Sequence, residues 1–183
     1  MVKRFAIFPI LRSRGGMLPA SQPSVHISTT AVEMTQIVLP TFTNNLGTVF
    51  GGQIAAWIDV CAAVSAQRFC RGPVVTASMD ELHFLRPARQ GMVVILHSMV
   101  NRSWTSSVEV GVRVDAEDPF TGVREHTCSA YLTFVAVDPD GKPRAVPRVD
   151  FTGLEGAERR WQEAAMRRDA RLKMREMRRA AEG

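Results

Sequence analysis

The sequence predicts an α+β protein in which one antiparallel sheet wraps round a single long central helix, with a further helix at the C terminus. Three observations predict it. The segment from Gly51 to Gln67 is helical in pattern and carries one charge, Asp59. Runs rich in β-branched residues, separated by turn signals, follow from Val74 to Val137. A charged stretch at helical period closes the chain from Glu155 to Gly183. No internal repeat is visible, so one unit is expected.

At 183 residues, 45% hydrophobic and 22% charged, the chain has the composition of one globular domain with extensions. Residues 1–24 read as a basic N-terminal extension, 25–150 as the domain and 151–183 as a basic helical tail. The first 32 residues hold no acid and four bases, Lys3, Arg4, Arg12 and Arg14. The apolar run from Phe5 to Leu11 is too short to cross a membrane, and no secretory cleavage pattern follows it. The expected reading is a disordered extension with Met17 as an alternative start, and an organellar transit peptide is the lesser alternative.

Val25 to Leu39 is β-branched and Thr-rich, which suits a first strand that Pro40 ends. The central helix follows, and Arg71-Gly72-Pro73 breaks the chain after it. Val74 to Leu85 reads as extended. Met92 to Val100 and Ser106 to Asp115 flank a short polar turn at Asn101 to Thr105. In the second of these runs Val108, Val110, Val112 and Val114 share one face, with Ser107, Glu109, Gly111 and Arg113 on the other. Asp118 to Gly122 makes the next turn, Arg124 to Val137 the last long strand, and Asp138-Pro139-Asp140-Gly141 closes it. In the tail, nine bases against six acids leave a net charge of +3. Trp161, Ala165 and Leu172 form a narrow apolar stripe, so the tail is expected to dock through Trp161 and Leu172. It has no interleaved aromatic platform of the kind that binds nucleic acid.

Asp59 is the residue that points to chemistry. A helix apolar nearly all round is expected to be buried. A carboxylate inside it must be paired, protonated or functional, since burial penalises the charge. Gly51-Gly52 opens the same helix, where the first amides lack internal partners and glycine lets a ligand approach closely. Such amides can hold a developing oxyanion. Read alone, Asp59 could equally satisfy a neighbouring strand and Gly-Gly could be a plain turn. Cys61, Cys70 and Cys128 form an odd set without C-x-x-C spacing, read as reduced thiols. Four scattered histidines provide no zinc-binding pair, and His83 reads as structural.

The run Thr43-Asn44-Asn45-Leu46-Gly47-Thr48-Val49-Phe50-Gly51-Gly52, then Trp57-Ile58-Asp59, Val74-Val75-Thr76-Ala77-Ser78 and His83-Phe84-Leu85-Arg86-Pro87, resembles the hotdog-fold acyl-CoA thioesterases of the cytosolic acyl-CoA hydrolase type. The likeness continues through Val100-Asn101-Arg102, Ser107-Val108-Glu109-Val110 and Tyr131 to Asp138, covering about Thr30 to Pro147. It implies hydrolysis of an acyl-CoA to free acid and CoA, with Asp59 as general base or, less favoured, as nucleophile. It implies that Asn44 of a partner subunit positions water or the thioester, and that the Gly51 and Gly52 amides form the oxyanion hole. Phe42 stands where the family often has an Asp.

For the nucleotide end of CoA, the candidates are Arg86 and Arg102 with Ser106 and Ser107, each equally readable as a surface or turn residue. No metal or organic cofactor is required. The resemblance implies homodimers with sites at the subunit boundary, assembled into a trimer of dimers (a hexamer), in the cytoplasm, with neither nucleic-acid binding nor membrane insertion. The alternatives on the same fold are a hydratase or dehydratase, which would carry a catalytic His, and a non-catalytic acyl-CoA-binding regulator.

Overall fold

Alternating valines and the long apolar helix find each other in the computed structural model, which describes residues 23–80 and 82–181. The expected extension at 1–24 lies almost wholly outside them. Five strands form one antiparallel sheet in the order β2 (Val32–Ile37), β4 (Val93–Ser103), β5 (Ser107–Glu117), β6 (Arg124–Ala136), β3 (Val74–Met79). Helix α1 (Gly51–Cys70) lies in its concave face. Val108, Val110, Val112 and Val114 of β5 meet Ile54, Ile58, Cys61, Ala62 and Phe69 of α1 in the buried core. A separate parallel pair, β1 (Ser24–His26) with β7 (Arg148–Asp150), ties the two ends of the domain together.

Helix α2 (Ala157–Ala181) crosses the outer face of the sheet. Its anchor is ionic. Glu109, fully buried on the face of β5 away from α1, accepts hydrogen bonds from Arg167 at 2.6 and 3.2 Å and from Asn101 Nδ2 at 3.2 Å. Arg167 also stacks on Tyr131 at 3.5 Å, and Arg171 donates to Asp80 at 2.6 Å. Burial works against the Arg167 cation, but the Glu109 hydrogen bond and charge outweigh it and raise its pKa. A Cβ on Gly111 would sit 2.8 Å from Asn101 Nδ2, so a side chain there would have to displace the amide that meets Glu109.

Four expectations are corrected by this packing. The run from Val25 to Leu39 is not one strand: Ile27–Thr30 forms a short 3-10 turn, in which Thr30 Oγ1 bonds Ile27 O at 2.6 Å. The strand from Val74 stops at Met79, after a bulge between Thr76 and Ser78. Asn101 is not in a turn: β4 runs on to Ser103, and Asn101 is the extra residue of a bulge, its amide meeting Glu109 on the outer face beneath α2. Leu172 stays 44% exposed, because arginines and Ala164, not Leu172, line the docked face of α2.

Candidate active site

Helix α1 starts at Gly51 behind Phe50, whose side chain provides no cap. The first backbone donors seen to be used inside the helix are Gln53 N and Ile54 N, both to Phe50 O. Among the described residues the amides of Gly51 and Gly52 have no backbone partner, and they stand at the positive end of the helix dipole. Neither glycine has positive φ; what they supply is space. A Cβ on Gly52 would meet nothing within 4 Å, while one on Gly51 would press the Phe84 ring at 3.3 Å.

Those amides open on a pocket of about 330 Å³ lined by Thr48, Gly51, Ile54, Phe84, Arg86 and Thr127, among others. Arg86 and Pro87 also border a second hollow of about 540 Å³ that includes Arg89. Arg86 lies at the junction, half exposed and paired with Glu125 at 2.8 Å. The sequence reading missed Arg89, since an isolated arginine before Gln90-Gly91 carries no signal of its own.

Asp59 sits two turns further along α1 and is half-buried, not enclosed. One stripe of the helix has no cover: Ala56 is exposed and Val60 is 55% exposed. The Asp59 carboxylate accepts a hydrogen bond from Thr76 Oγ1 at 2.8 Å. Thr76 belongs to a motif that was noticed but was not among the candidates. The edge position of β3 beside α1, invisible in the sequence, gives it this role.

Asn44 closes its own loop. Its Oδ1 accepts from Leu46 N at 2.9 Å, Thr48 N at 3.3 Å and Thr48 Oγ1 at 3.2 Å, and its Nδ2 bonds Thr48 Oγ1 at 3.0 Å. One Nδ2 hydrogen is left over among the described residues. The Phe42 ring meets Trp57 edge-on at 5.3 Å, fixing this loop against α1. Phe42 thus has a packing role where the family often places a carboxylate.

The remaining candidates are not gathered with Arg86. Arg102 lies 3.5 Å over the Trp161 ring and donates to Trp161 O at 3.0 Å, so it holds α2. Burial depresses its pKa, against the opposing charges of Asp169 and Glu109. Ser106 and Ser107 turn the β4–β5 hairpin at the Val135 end of β6. That end is eight residues, roughly 27 Å of strand, from Thr127 in the pocket. Among the described residues no cluster of three metal-ligating side chains is found, and no helix is long and apolar enough to cross a membrane.

Comparison with known proteins matches this architecture. Residues 46–122 fit the Thioesterase superfamily. The acyl-CoA thioester hydrolase YkhA of Bacillus subtilis is 49% identical over 118 residues, covering 64% of this chain and 69% of that one. A crystal structure of an apo-hexameric acyl-CoA thioesterase superposes with TM-score 0.80 at 38% identity, covering 83% of this chain and 97% of the other. The acyl-CoA hydrolase of Staphylococcus aureus, solved with butyryl-CoA, CoA and CoA disulfide, gives TM-score 0.80 at 33% identity over 87% and 96% of the two chains. The chain also matches longer mouse thioesterases, of which it spans about a quarter.

The chain belongs to the hotdog-fold acyl-CoA thioesterases, a family of thioester hydrolases. Solved variants of the Staphylococcus protein carry alanine in place of an aspartate, an asparagine fifteen positions before it and a threonine seventeen positions after it. Asn44, Asp59 and Thr76 stand at the same intervals here.

Proposed function

We propose that this protein hydrolyses an acyl-CoA thioester at a site built from two copies of the chain. The carrying observation is the separation of the two halves of the chemistry on one helix. Asp59 is eight residues beyond Gly51, roughly 12 Å along the axis. A general base and an oxyanion hole must reach the same carbonyl, so the Asp59 that serves one pair of glycine amides comes from the other copy.

Exposed apolar side chains at Ile37, Leu39, Phe50, Val60 and Val75 surround this region and favour cover by a second chain. Edge strand β3 offers backbone groups for pairing with it. The hexameric relative supports further assembly of such dimers, a trimer of dimers.

In this reading Asp59, oriented by Thr76, takes a proton from water as the water attacks the thioester carbonyl. The Gly51 and Gly52 amides hold the resulting oxyanion, and one such donor is typically worth about 2.7–4 kcal/mol in the transition state. Collapse of the tetrahedral intermediate breaks the C–S bond and releases the acid and the CoA thiolate, which regains a proton. Asn44 Nδ2, with its spare hydrogen, fixes water or the thioester across the boundary. Arg86 and Arg89 are placed to meet the phosphates of CoA, and Arg102, Ser106 and Ser107 leave this role. No metal or organic cofactor takes part in these steps. The buried free thiols Cys61, Cys70 and Cys128 suit a reducing cytoplasm.

The test is thiol release from a panel of acyl-CoAs. Turnover of at least one member is expected, with Asp59→Asn lowering it by about two to four powers of ten in a correctly assembled protein. Binding without release would favour the regulator reading. Near-normal turnover of Asp59→Asn would remove Asp59 from the mechanism.

A further inference from the structure

Helix α2 crosses the outer face of the sheet toward one edge, and its contacts come in strand order. Arg102 of β4 stacks on Trp161, Glu109 of β5 and Tyr131 of β6 hold Arg167, and Asp80, just past the end of edge strand β3, takes Arg171. From Trp161 to Arg171 the helix rises roughly 15 Å, which matches the three strand spacings from β4 to β3, about 14 Å. Residues 172–181 are still helical and carry α2 roughly another 15 Å past the β3 edge. All of them but Arg175 are exposed.

The β3 edge is also where the second copy belongs on the two-copy reading above, since Thr76 of β3 holds the Asp59 that serves the other chain's glycine amides. Two identical edge strands that pair about a two-fold axis run antiparallel. The Met79 end of one β3, where α2 leaves the sheet, then lies beside the Val74 end of the other. The outer face at that end carries an uncovered apolar side chain. Thr76 pairs with the core residue Phe134 and faces α1, so its neighbour Val75, paired with Val135, points outward, and it is 41% exposed. The turn from Asp138 to Gly141 begins at the same end, where Val137 N bonds Pro73 O at 3.1 Å. It bears Asp138 and an exposed Asp140 beside Lys142.

Past Arg171, positions 174, 175 and 178 continue the helix face that Arg167 and Arg171 turn to the sheet. They hold Met174, 52% exposed, with Arg175 and Arg178. An apolar side chain flanked by cations on the helix thus faces an apolar side chain flanked by acids on the sheet.

We infer that the last three turns of α2 clasp the second copy across the β3 edge. Met174 covers Val75 of the partner subunit, and Arg175 and Arg178 meet Asp140 of the partner subunit. The contact is reciprocal, so each dimer has two. The tail then secures the two-copy site and takes no part in its chemistry.

The experiment mixes full-length Met174→Cys chains with full-length Val75→Cys chains, verifies subunit exchange and adds a short bismaleimide. The native thiols Cys61, Cys70 and Cys128 are buried. Mass spectrometry is expected to find the peptide holding position 174 linked to the one holding position 75, a link that can form only between chains. In a second arm, Arg175→Glu with Arg178→Glu should raise the dimer dissociation constant roughly tenfold at low salt, and less at about 0.5 M salt. Asp140→Lys should weaken association likewise, and all three changes together should restore it. At concentrations where the charge-reversed chains are assembled, kcat should stay within about twofold of the wild type.

No linked peptide, or a charge reversal that Asp140→Lys fails to rescue, would overturn the clasp. Recovered activity in mixed Asn44→Ala and Asp59→Ala chains would then leave the two-copy reading standing. A wild type that is monomeric and fully active would overturn both.

Discussion

Thr76 Oγ1 donates a 2.8 Å hydrogen bond to Asp59 Oδ1, joining the one charged side chain in the first four turns of α1 to the edge strand β3. The bond occupies one carboxylate oxygen and leaves the other for a proton. It also restricts the Asp59 rotamer, which a general base needs if it is to meet water in one place. The bulge just after Thr76 lies on the strand edge where a second copy would dock.

Thr76→Val should therefore lower kcat roughly ten- to a hundredfold, the range for a hydrogen bond to a charged group. Thr76→Ser should recover most of the loss. Steady-state thiol release measures both. If Val and Ser behave alike, the hydroxyl has no part in orienting Asp59.

Asn44→Ala and Asp59→Ala chains should each be inactive alone and regain activity when mixed. Each mixed dimer then contains one site with both residues intact. Fluorescence exchange verifies that subunits have mixed. Verified exchange without recovery places Asn44 and Asp59 in the same protomer's site and sinks the two-copy arrangement.

Arg167→Ala should cost about 3–5 kcal/mol in chemical denaturation, because it strands Glu109 in a fully buried position. Arg171, at 3.9 Å from Glu109, is too far to replace it by a hydrogen bond. Pairing Arg167→Met with Glu109→Leu should return much of the stability. A cost under about 1 kcal/mol for Arg167→Ala would show that water reaches Glu109 and that the pair is not the anchor of α2.

Stability should fall with rising pH above about 9. Burial pushes the Cys70 thiol from 9.0 up to about 11 against the opposing Arg144, and pushes Cys128 to about 11 with Asp115 adding to the shift. The fold therefore holds these protons more tightly than the unfolded chain does. Their contribution is intact below the unfolded value of 9.0 and declines from there through about 11. Urea midpoints between pH 8 and 11 check this against Cys70→Ala with Cys128→Ala. An equal decline with and without the thiols would assign the effect to other groups.

The sequence alone determined the layered architecture. Helical and strand periods are local properties, and the valines of β5 and the apolar face of α1 had one way to bury each other. The glycine pair and the lone aspartate were legible for the same reason, since a charge in an apolar helix and two glycines at its start are conspicuous without any contact map. Tertiary structure decided what those residues touch. Thr76 reaches Asp59 because β3 pairs with β6 at the sheet edge beside α1, and Arg102 is drawn to Trp161 because α2 folds back over the outer face.

Bulges were the least legible features. One extra residue at Asn101 and one at Thr127 interrupt the two-residue alternation of their strands, and nothing in the sequence displays the interruption. The separation of Asp59 from the glycine amides is written in the count of residues between them. The proposed consequence, that a second chain completes the site, rests on the helix running unbroken across that interval and lying partly uncovered on the Asp59 side. A side chain's period is set by its neighbours in the sequence, whereas its partner is set by strand pairing over long range.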